Sequence, residues 1–490
     1  MSQYNIGIDM GTSSIKAILL EDAACIRKEN TIEYQVDIPR EDWKEIDPEV
    51  WFKAAVEAVR GLIRDVDPGS VTGIGITGQM HTTVFLDAAG ASIRPAIMWN
   101  DGRTREILDE LHRKMDEVPG IGWLKRTVTT GSPAANLYWL KTREPDSFAR
   151  LDRFLIGPDY LVYRFTGVQG TDYCESSTAS LVDLSTGHWS REMCSVVGLR
   201  ESQLPPIRGA AETVGTLLPE IAERLGLPAS VRVIAGTGDN PAAAIPTGCL
   251  GQGHTVISLG TSGVLMVRKP APDLEAKGKN VLFSFDGKRI DCLCQGVVQA
   301  NGNSYAWWAR KMMQYPDFSM IDGLIAPCME DRKKTLFFPY LTGDKTLYQD
   351  AGIRGAFLGL STETTREDMT FAVIEGLCLG FRELRDQMRV PEKTRIKAVG
   401  GGARSRVWVQ TLADVLNTPI EQQDGETGAA YGAALLSAFA AGIIRDPGQL
   451  SAGTRAGTVY CPRPGRAEWY DRKYRWFSRI YGAVKEIYQD

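Results

Sequence analysis

Apolar residues near the start of the chain fall on every second position: Ile6, Ile8 and Met10 share one face, Gly11-Thr12-Ser13 breaks the run, and Ile15, Ala17 and Leu19 resume it. A period of two interrupted by a turn predicts a hairpin, with Lys16 on its second strand. Further along, the period lengthens. Trp51, Ala55, Ala58, Leu62 and Val66 recur at steps of three and four behind Asp47 and Pro48, which predicts an amphipathic helix with Asp47 as N-cap and Pro48 at its first position. The apolar run 71–77 predicts a buried strand that ends at Gly78-Gln79-Met80-His81. Strands alternating with helices place the chain in the α/β class.

A second start of this kind lies near the middle. Residues 232–235 predict a strand that runs into GTGDNPAAAIPTG at 236–248, and 255–259 predict another, ending in Gly260-Thr261-Ser262-Gly263. Gly-Thr-Ser therefore follows an apolar strand once in each half, as in a duplicated domain. Pro246, Gly248, Gly251 and Gly253 cluster between the halves, and the expected domains are 1–248 and 249–490. Residues 269–279, KPAPDLEAKGK, read as a polar loop. The stretch 431–444, rich in Ala and Gly and interrupted by Ser437, is too short for a membrane span and reads as a core helix.

Composition narrows the field. At 490 residues the chain exceeds what one hydrophobic core needs, and 43% hydrophobic with 24% charged residues is ordinary for a soluble globular protein. The formal net charge of −4 leaves no basic excess, so neither nucleic acid nor a membrane surface is the expected partner; a small molecule is. Nine cysteines spread from Cys25 to Cys461 make no dense disulfide framework, and the opening MSQYNIGIDMG lacks a secretory pattern, so a cytoplasmic location is expected. The four histidines, at 81, 112, 188 and 254, have no ligand spacing, and Cys292 and Cys294 read as core residues on one face of a strand, so no zinc or iron site is expected.

Glycine-rich turns at strand ends present successive backbone N–H groups to anions. Three occur: Gly11-Thr12-Ser13, Gly260-Thr261-Ser262, and Gly400-Gly401-Gly402 after the strand predicted at 395–399. Together they point to phosphate and nucleotide binding. The third opens a helix carrying Trp408, Leu412 and Val415, whose start at Ala403-Arg404-Ser405 suits the anionic or ribose end of a nucleotide. Asp9 supplies a carboxylate that can hold Mg²⁺ through water, and Lys16 can face a terminal phosphate. No GxxxxGK[ST] motif occurs. Gly73, Gly75 and Gly78 satisfy GxGxxG, but inside a strand and without a following helix, so a dinucleotide site is not expected. Asp239, behind a Gly-X-Gly turn and beside Asn240, can orient an attacking hydroxyl and accept its proton; Asp-Asn before Pro241 also suits an ordinary turn and cap. Gln79 and His81 can bond a polyhydroxylated ligand, and a lone histidine can equally be structural. Trp99-Asn100-Asp101-Gly102-Arg103 is either a clamp on sugar hydroxyls or a turn closed by an Asp-Arg pair.

The blocks DMGTS at 9–13, GQMH at 78–81, WNDGR at 99–103, GDN at 238–240, SLGTSG at 258–263 and GGGARS at 400–405 stand in the order seen in the FGGY carbohydrate kinases. The chain resembles that family from about residue 4 to 485, and residues 355–375 and Pro339-Tyr340-Leu341-Thr342-Gly343 fit further family blocks. The resemblance implies two actin/hexokinase-like (RNase H-like) domains with an interdomain cleft, and ATP-dependent phosphorylation of a small ketose with Mg²⁺. On this reading the first domain holds the sugar and the second the ATP. It makes Asp239 the base and Asp9 the second required carboxylate, near the metal. Met80 and His81 become sugar contacts, to which Gln79, Asp101 and Asn240 are added. Thr12, Ser13, Lys16 and Thr261 match phosphate contacts, with Gly11, Gly260 and Ser262 completing the turns, and Gly401, Gly402 and Ser405 match the nucleoside side. A carboxyl at its ordinary pKa of about 4 suffices for Asp239, because proton loss can come late. A homodimer is a family-level expectation. Thr82, Asn136 and Thr237 depart from the family pattern, and Thr82 is expected to narrow the sugar pocket.

Overall fold

A computed structural model describes residues 2–315, 317–391, 394–424, 428–451 and 455–488. The opening hairpin forms as its alternation requires. Tyr4–Met10 pairs antiparallel with Ser14–Glu21 so that Met10 faces Ile15 and Asp9 faces Lys16, and Cys25–Glu33 extends the meander. On the other side of Tyr4–Met10, Val71–Gly78 runs parallel to it, followed by Arg232–Ile234 parallel and Thr213–Thr216 antiparallel. The second half repeats this plan. Thr255–Leu259, Gly263–Lys269 and Asp291–Val298 form an antiparallel meander, and Ile396–Val399 and Ile420–Asp424 add parallel strands beside Thr255–Leu259. In each sheet the core strands lie in the order third, second, first, fourth, fifth. The duplication suggested by two Gly-Thr-Ser turns is thus a duplication of topology.

Local signals set the helices. Asp47 caps Pro48–Leu62 by accepting from the Glu49 N–H at 3.0 Å. That helix stops before Val66, where the chain turns toward Asp67-Pro68 with a Val66 N–H to Ile63 carbonyl bond of 3.2 Å. Thr365 and Asp368 form a reciprocal capping box at the start of Arg366–Gln387. The apolar stretch near residue 435 is the buried helix Ala429–Ala440, and no helix among the described residues is long and apolar enough to cross a membrane. Cys292 and Cys294 are both buried, Cys294 within the core of the second half.

The glycines inside 71–78 have a packing explanation. Helix Ala429–Ala440 lies across the first sheet, where a side chain at Gly7 would strike the Ala430 carbonyl and one at Gly75 the Ala433 carbonyl. Only strands without Cβ atoms there admit a helix backbone so closely. A second contact joins the halves at the edge strand Lys279–Phe283, on which helix Tyr173–Thr178 packs with a Leu282 N–H to Ser177 hydroxyl bond of 3.0 Å. Residue 279, read from sequence as the end of a solvated loop, therefore begins a strand at the seam between the halves. A small sheet of Glu45–Ile46, Ala96–Ile97, Thr83–Leu86 and Arg153–Ile156 lies beside the first large sheet and carries the residues that follow His81.

Candidate active site

Three parallel strands end level with one another, and this brings the acidic residues together. Met10 is registered with Gly78, and Gly78 with Gly238, while the Gln79 N–H bonds the Met10 carbonyl at 2.8 Å. Asp9, Gln79 and Asp239 consequently emerge at the carboxyl end of the first sheet, the usual ligand side of parallel strands. Asp239 is the first residue of helix Asp239–Ala244, and its Oδ1 accepts from the Asn240 N–H at 2.7 Å. Burial raises its pKa to about 6, opposed by that bond and by the Lys279 ammonium. Asp9 is pushed up to about 7, by burial first and then by repulsion from Asp239, with Lys16 pulling down. The expectation of an ordinary pKa for Asp239 is corrected: two half-buried carboxylates near one another do not ionise as free ones do.

The first phosphate-type turn is closed by a Gly11 N–H to Ser14 carbonyl bond of 2.9 Å and held from behind by Tyr34, whose N–H bonds the Ser13 carbonyl at 2.9 Å and whose hydroxyl bonds the Gly11 carbonyl. The Thr12 hydroxyl accepts from the Trp99 indole N–H at 3.1 Å, which ties this turn to the WNDGR segment. Lys16 lies on the Asp9 face, with its ammonium 2.9 Å from Glu29. That pair is exposed and weak enough to open for a phosphate. In the second sheet the other two turns sit side by side, because Thr255–Leu259 and Ile396–Val399 are parallel neighbours. The Gly302 N–H bonds the Gly260 carbonyl at 3.0 Å and the Asn303 N–H bonds the Thr261 carbonyl at 3.2 Å, which orients the Gly260-Thr261-Ser262 turn. Gly402 packs against Leu259, where a Cβ would come within 2.9 Å of the Leu259 Cβ, whereas a Cβ on Gly401 would meet nothing within 4 Å. Ser405 gives its hydroxyl proton to Asp322 at 2.6 Å and caps the Trp408 N–H at 3.1 Å. What the third turn offers a nucleotide is backbone rather than that hydroxyl.

The segment after Gly78 is held in an unusual shape. His81 has φ of 72°, a left-handed conformation uncommon outside glycine, and its carbonyl accepts from the Thr83 hydroxyl at 3.0 Å. The Asn136 amide in turn bonds that hydroxyl at 2.9 Å, and the Thr82 hydroxyl accepts from the Trp99 N–H at 3.1 Å. Thr82 and Asn136 are fully buried behind the loop, so Thr82 braces Trp99 and does not narrow the pocket. Thr237, the third departure, accepts the Thr77 hydroxyl at its carbonyl at 2.7 Å. Asn240 reaches the Met80 sulphur at 3.7 Å, and the buried Oε1 of Gln79 has no hydrogen-bond partner. Beside His81 opens a cavity of about 380 Å³ lined by Trp99, Asn100, Asp101, Arg105, Ser132 and, from the second half, Lys345.

Asp101 is a correction. Its carboxylate accepts from the Arg103 backbone and guanidinium at 2.8 Å and from the Lys44 N–H at 2.6 Å. A fully buried carboxylate so engaged shapes the wall and has no oxygen free for a sugar; of the two readings of WNDGR, the Asp-Arg turn is the one observed. Two polar residues at the site escaped the sequence reading. Glu175 is 1% exposed, and its Oε1 lies so near Gly238 that a Cβ there would come within 3.0 Å of it. Lys279 places its ammonium 2.6 Å from Nε2 of His81. The only sequence signs were an acid among small residues in TDYCESST and a base at the head of the apolar run NVLFSF.

Duplicated sheets with phosphate-type turns at their strand ends, and an aspartate heading a helix beside them, are the architecture of a two-domain carbohydrate kinase. The chain belongs to the FGGY family of carbohydrate kinases: the profile of the family's N-terminal domain matches residues 4–246 and that of its C-terminal domain residues 255–441. Its activity is ATP-dependent phosphoryl transfer to a sugar. It is similar to the xylulose kinase of Bacillus subtilis (strain 168), with 31% identity over 491 residues, 99% of this chain and 98% of the relative. The xylulose kinase of Escherichia coli (strain K12) is 32% identical over 485 residues, 97% of this chain and 98% of the relative. The crystal structure of xylulose kinase from Rhodospirillum rubrum superposes with a TM-score of 0.90 at 27% identity and covers 100% of both chains.

Proposed function

We propose that this kinase phosphorylates D-xylulose at its terminal hydroxyl to give D-xylulose 5-phosphate, with residues 1–248 supplying most of the sugar site and 249–490 the ATP site. The observation that carries the reaction is the level ending of three strands, which sets Asp239 beside Asp9 and the Gln79-Met80-His81 loop. The sugar rests on the near-full-length relatives named xylulose kinase. Asp239 orients the sugar hydroxyl and accepts its proton, and the Asn240 N–H on its Oδ1 leaves Oδ2 for that role. Backbone N–H groups of the Gly11-Thr12-Ser13 and Gly260-Thr261-Ser262 turns bind phosphate oxygens, Lys16 leaves Glu29 to add charge, and Gly401-Gly402 give the nucleoside end close backbone approach. The donors fit a Mg²⁺ held by Asp9 through water, since this ion keeps several waters and takes one or two carboxylates together with substrate phosphates. When bound it supplies charge neutralisation at the phosphates.

A second reading, a sugar acid as phosphoacceptor, is favoured by Arg105 and Lys345 lining the cavity beside His81. An ADP-release assay with D-xylulose, D-ribulose, polyols and aldonic acids decides between the two. The ketose reading requires the highest kcat/KM for D-xylulose; highest turnover with an aldonic acid replaces it.

A further inference from the structure

Lys279 reaches the sugar side of the site from the half expected to serve only the nucleotide. It heads the edge strand Lys279–Phe283, which is fixed on helix Tyr173–Thr178 of the first half by the Leu282 to Ser177 bond of 3.0 Å. Its ammonium stands 2.6 Å from Nε2 of His81. An ammonium can only donate, so Nε2 is the acceptor and the ring proton sits on Nδ1. His81 therefore has no Nε2 donor to offer a sugar.

The lysine also has charge to balance and donors to spare. Glu175, on the helix that packs against its strand, has neither carboxylate oxygen hydrogen-bonded although both are buried. Its side chain abuts Gly238, next to Asp239. Burial pushes the pKa of both carboxyls up, and Lys279 pulls against it. One of its three N–H bonds is given to His81, and the others can serve an oxygen brought in by a ligand.

We propose that Lys279 is a specificity-determining residue for the phosphoacceptor, donating to a sugar oxygen in the place where the family resemblance assigns the His81 side chain. His81 is then its positioning residue, fixing where the ammonium points, and Glu175 is the buried acid packed beside it. The second half of the chain grips the sugar as well as the nucleotide, so a bound sugar draws the halves together. The inference rests on the sugar-kinase reading of the cleft and not on which sugar is preferred.

The test compares wild type with Lys279→Met and Lys279→Arg. Sugar affinity is measured by titration calorimetry without nucleotide, and kcat and both KM values by ADP release. Loss of a charge-assisted bond should raise the sugar Kd and KM by about ten- to hundredfold in Lys279→Met, leave the ATP KM within about twofold, and be partly recovered in Lys279→Arg. Deoxy analogues, each lacking one hydroxyl, locate the contact: the penalty should vanish for the analogue missing the oxygen that Lys279 holds. Unchanged sugar affinity in Lys279→Met, a parallel rise in ATP KM, or an equal penalty for every analogue overturns the proposal. Should the methionine variant fail to fold, Lys279→Gln, which keeps donors but loses the charge, is read by the same criteria. If wild type binds a ketose without phosphorylating it, the proposed reaction fails while the binding comparison still decides the role of Lys279.

Discussion

At the scale of single residues, the site is governed by carboxylates that do not titrate as free ones. Asp9 stands at about 7 and Asp239 at about 6, both raised mainly by burial. In the proposed mechanism the pair must be ionised to hold a metal and take a proton, so kcat/KM should fall as pH drops through roughly 7 to 6, well above the ordinary carboxylate range near 4. A pH profile flat down to pH 5 would contradict this. Asp239→Asn should lower kcat by about 10²–10⁴-fold while sugar affinity by calorimetry changes little. Stability responds with the opposite sign from a salt bridge. Asp9 rises from an ordinary 3.8 to about 7 on folding, so the folded state holds more protons between those values and loses stability as pH climbs through them. Asp9→Asn removes that cost and should melt above wild type near pH 8 but level with it below about pH 4. The glycines divide likewise: Gly401→Ala fills open space and should raise the ATP KM with no change in melting, whereas Gly402→Ala presses on Leu259.

Among elements, helix Ala429–Ala440 is the one on which the arrangement turns, because it comes from the second half and lies against the first sheet. Gly75→Ala would drive a methyl group into the Ala433 carbonyl, backbone against which no rotamer offers relief, and should cost about 1–3 kcal/mol or more in urea unfolding. Retention of wild-type stability would mean the helix can back away. This contact also shows where the sequence stopped being readable. The hairpin at Gly11-Thr12-Ser13, the Asp47-Pro48 helix start and the acidic turn at Asp239 were legible because each depends on neighbours within a few positions. The GxGxxG spacing was visible too, but Gly73 and Gly75 answer to Ser437 and Ala433 on a distant helix, and Gly78 to Met10 on the neighbouring strand. Lys279 meets His81 across 198 positions, and nothing local distinguishes a lysine that will begin a strand from one in the polar loop before it. Asp101 was readable only as two alternatives, since the Lys44 N–H that completes its bonding belongs to a separate segment.

For the whole molecule the question is whether the halves behave as separate folding units. Each has its own core, one around Ile8, Phe52 and Val59 and the other around Phe338, Phe381 and Trp408, which taken alone argues for two unfolding steps. A third cluster crosses between them: Ile18, Leu20 and Ile234 pack with Val256, Met266, Phe283, Leu435 and Leu436. Backbone bonds from Ala210 to Ser284 at 2.7 Å and from Ala211 to Phe285 at 2.9 Å, and an Asn5 to Ser437 bond of 3.0 Å, cross the same seam. Uncovering those eight side chains at about 1.5–3 kcal/mol each forfeits on the order of 12–24 kcal/mol. That matches or exceeds the roughly 5–15 kcal/mol by which a whole domain is usually stable, so neither half should survive the loss of the other. Guanidinium unfolding should therefore show one transition, with far-ultraviolet dichroism, tryptophan fluorescence and activity lost together. Tryptophans on both sides, such as Trp51 and Trp408, make the fluorescence sensitive to either half. Sugar should shift the whole curve to higher denaturant, although its proposed site lies mainly in the first half, because a ligand that stabilises one half stabilises everything that unfolds with it. Two resolved steps, with sugar moving only one of them, would show the shared core to be a hinge contact that either half can do without.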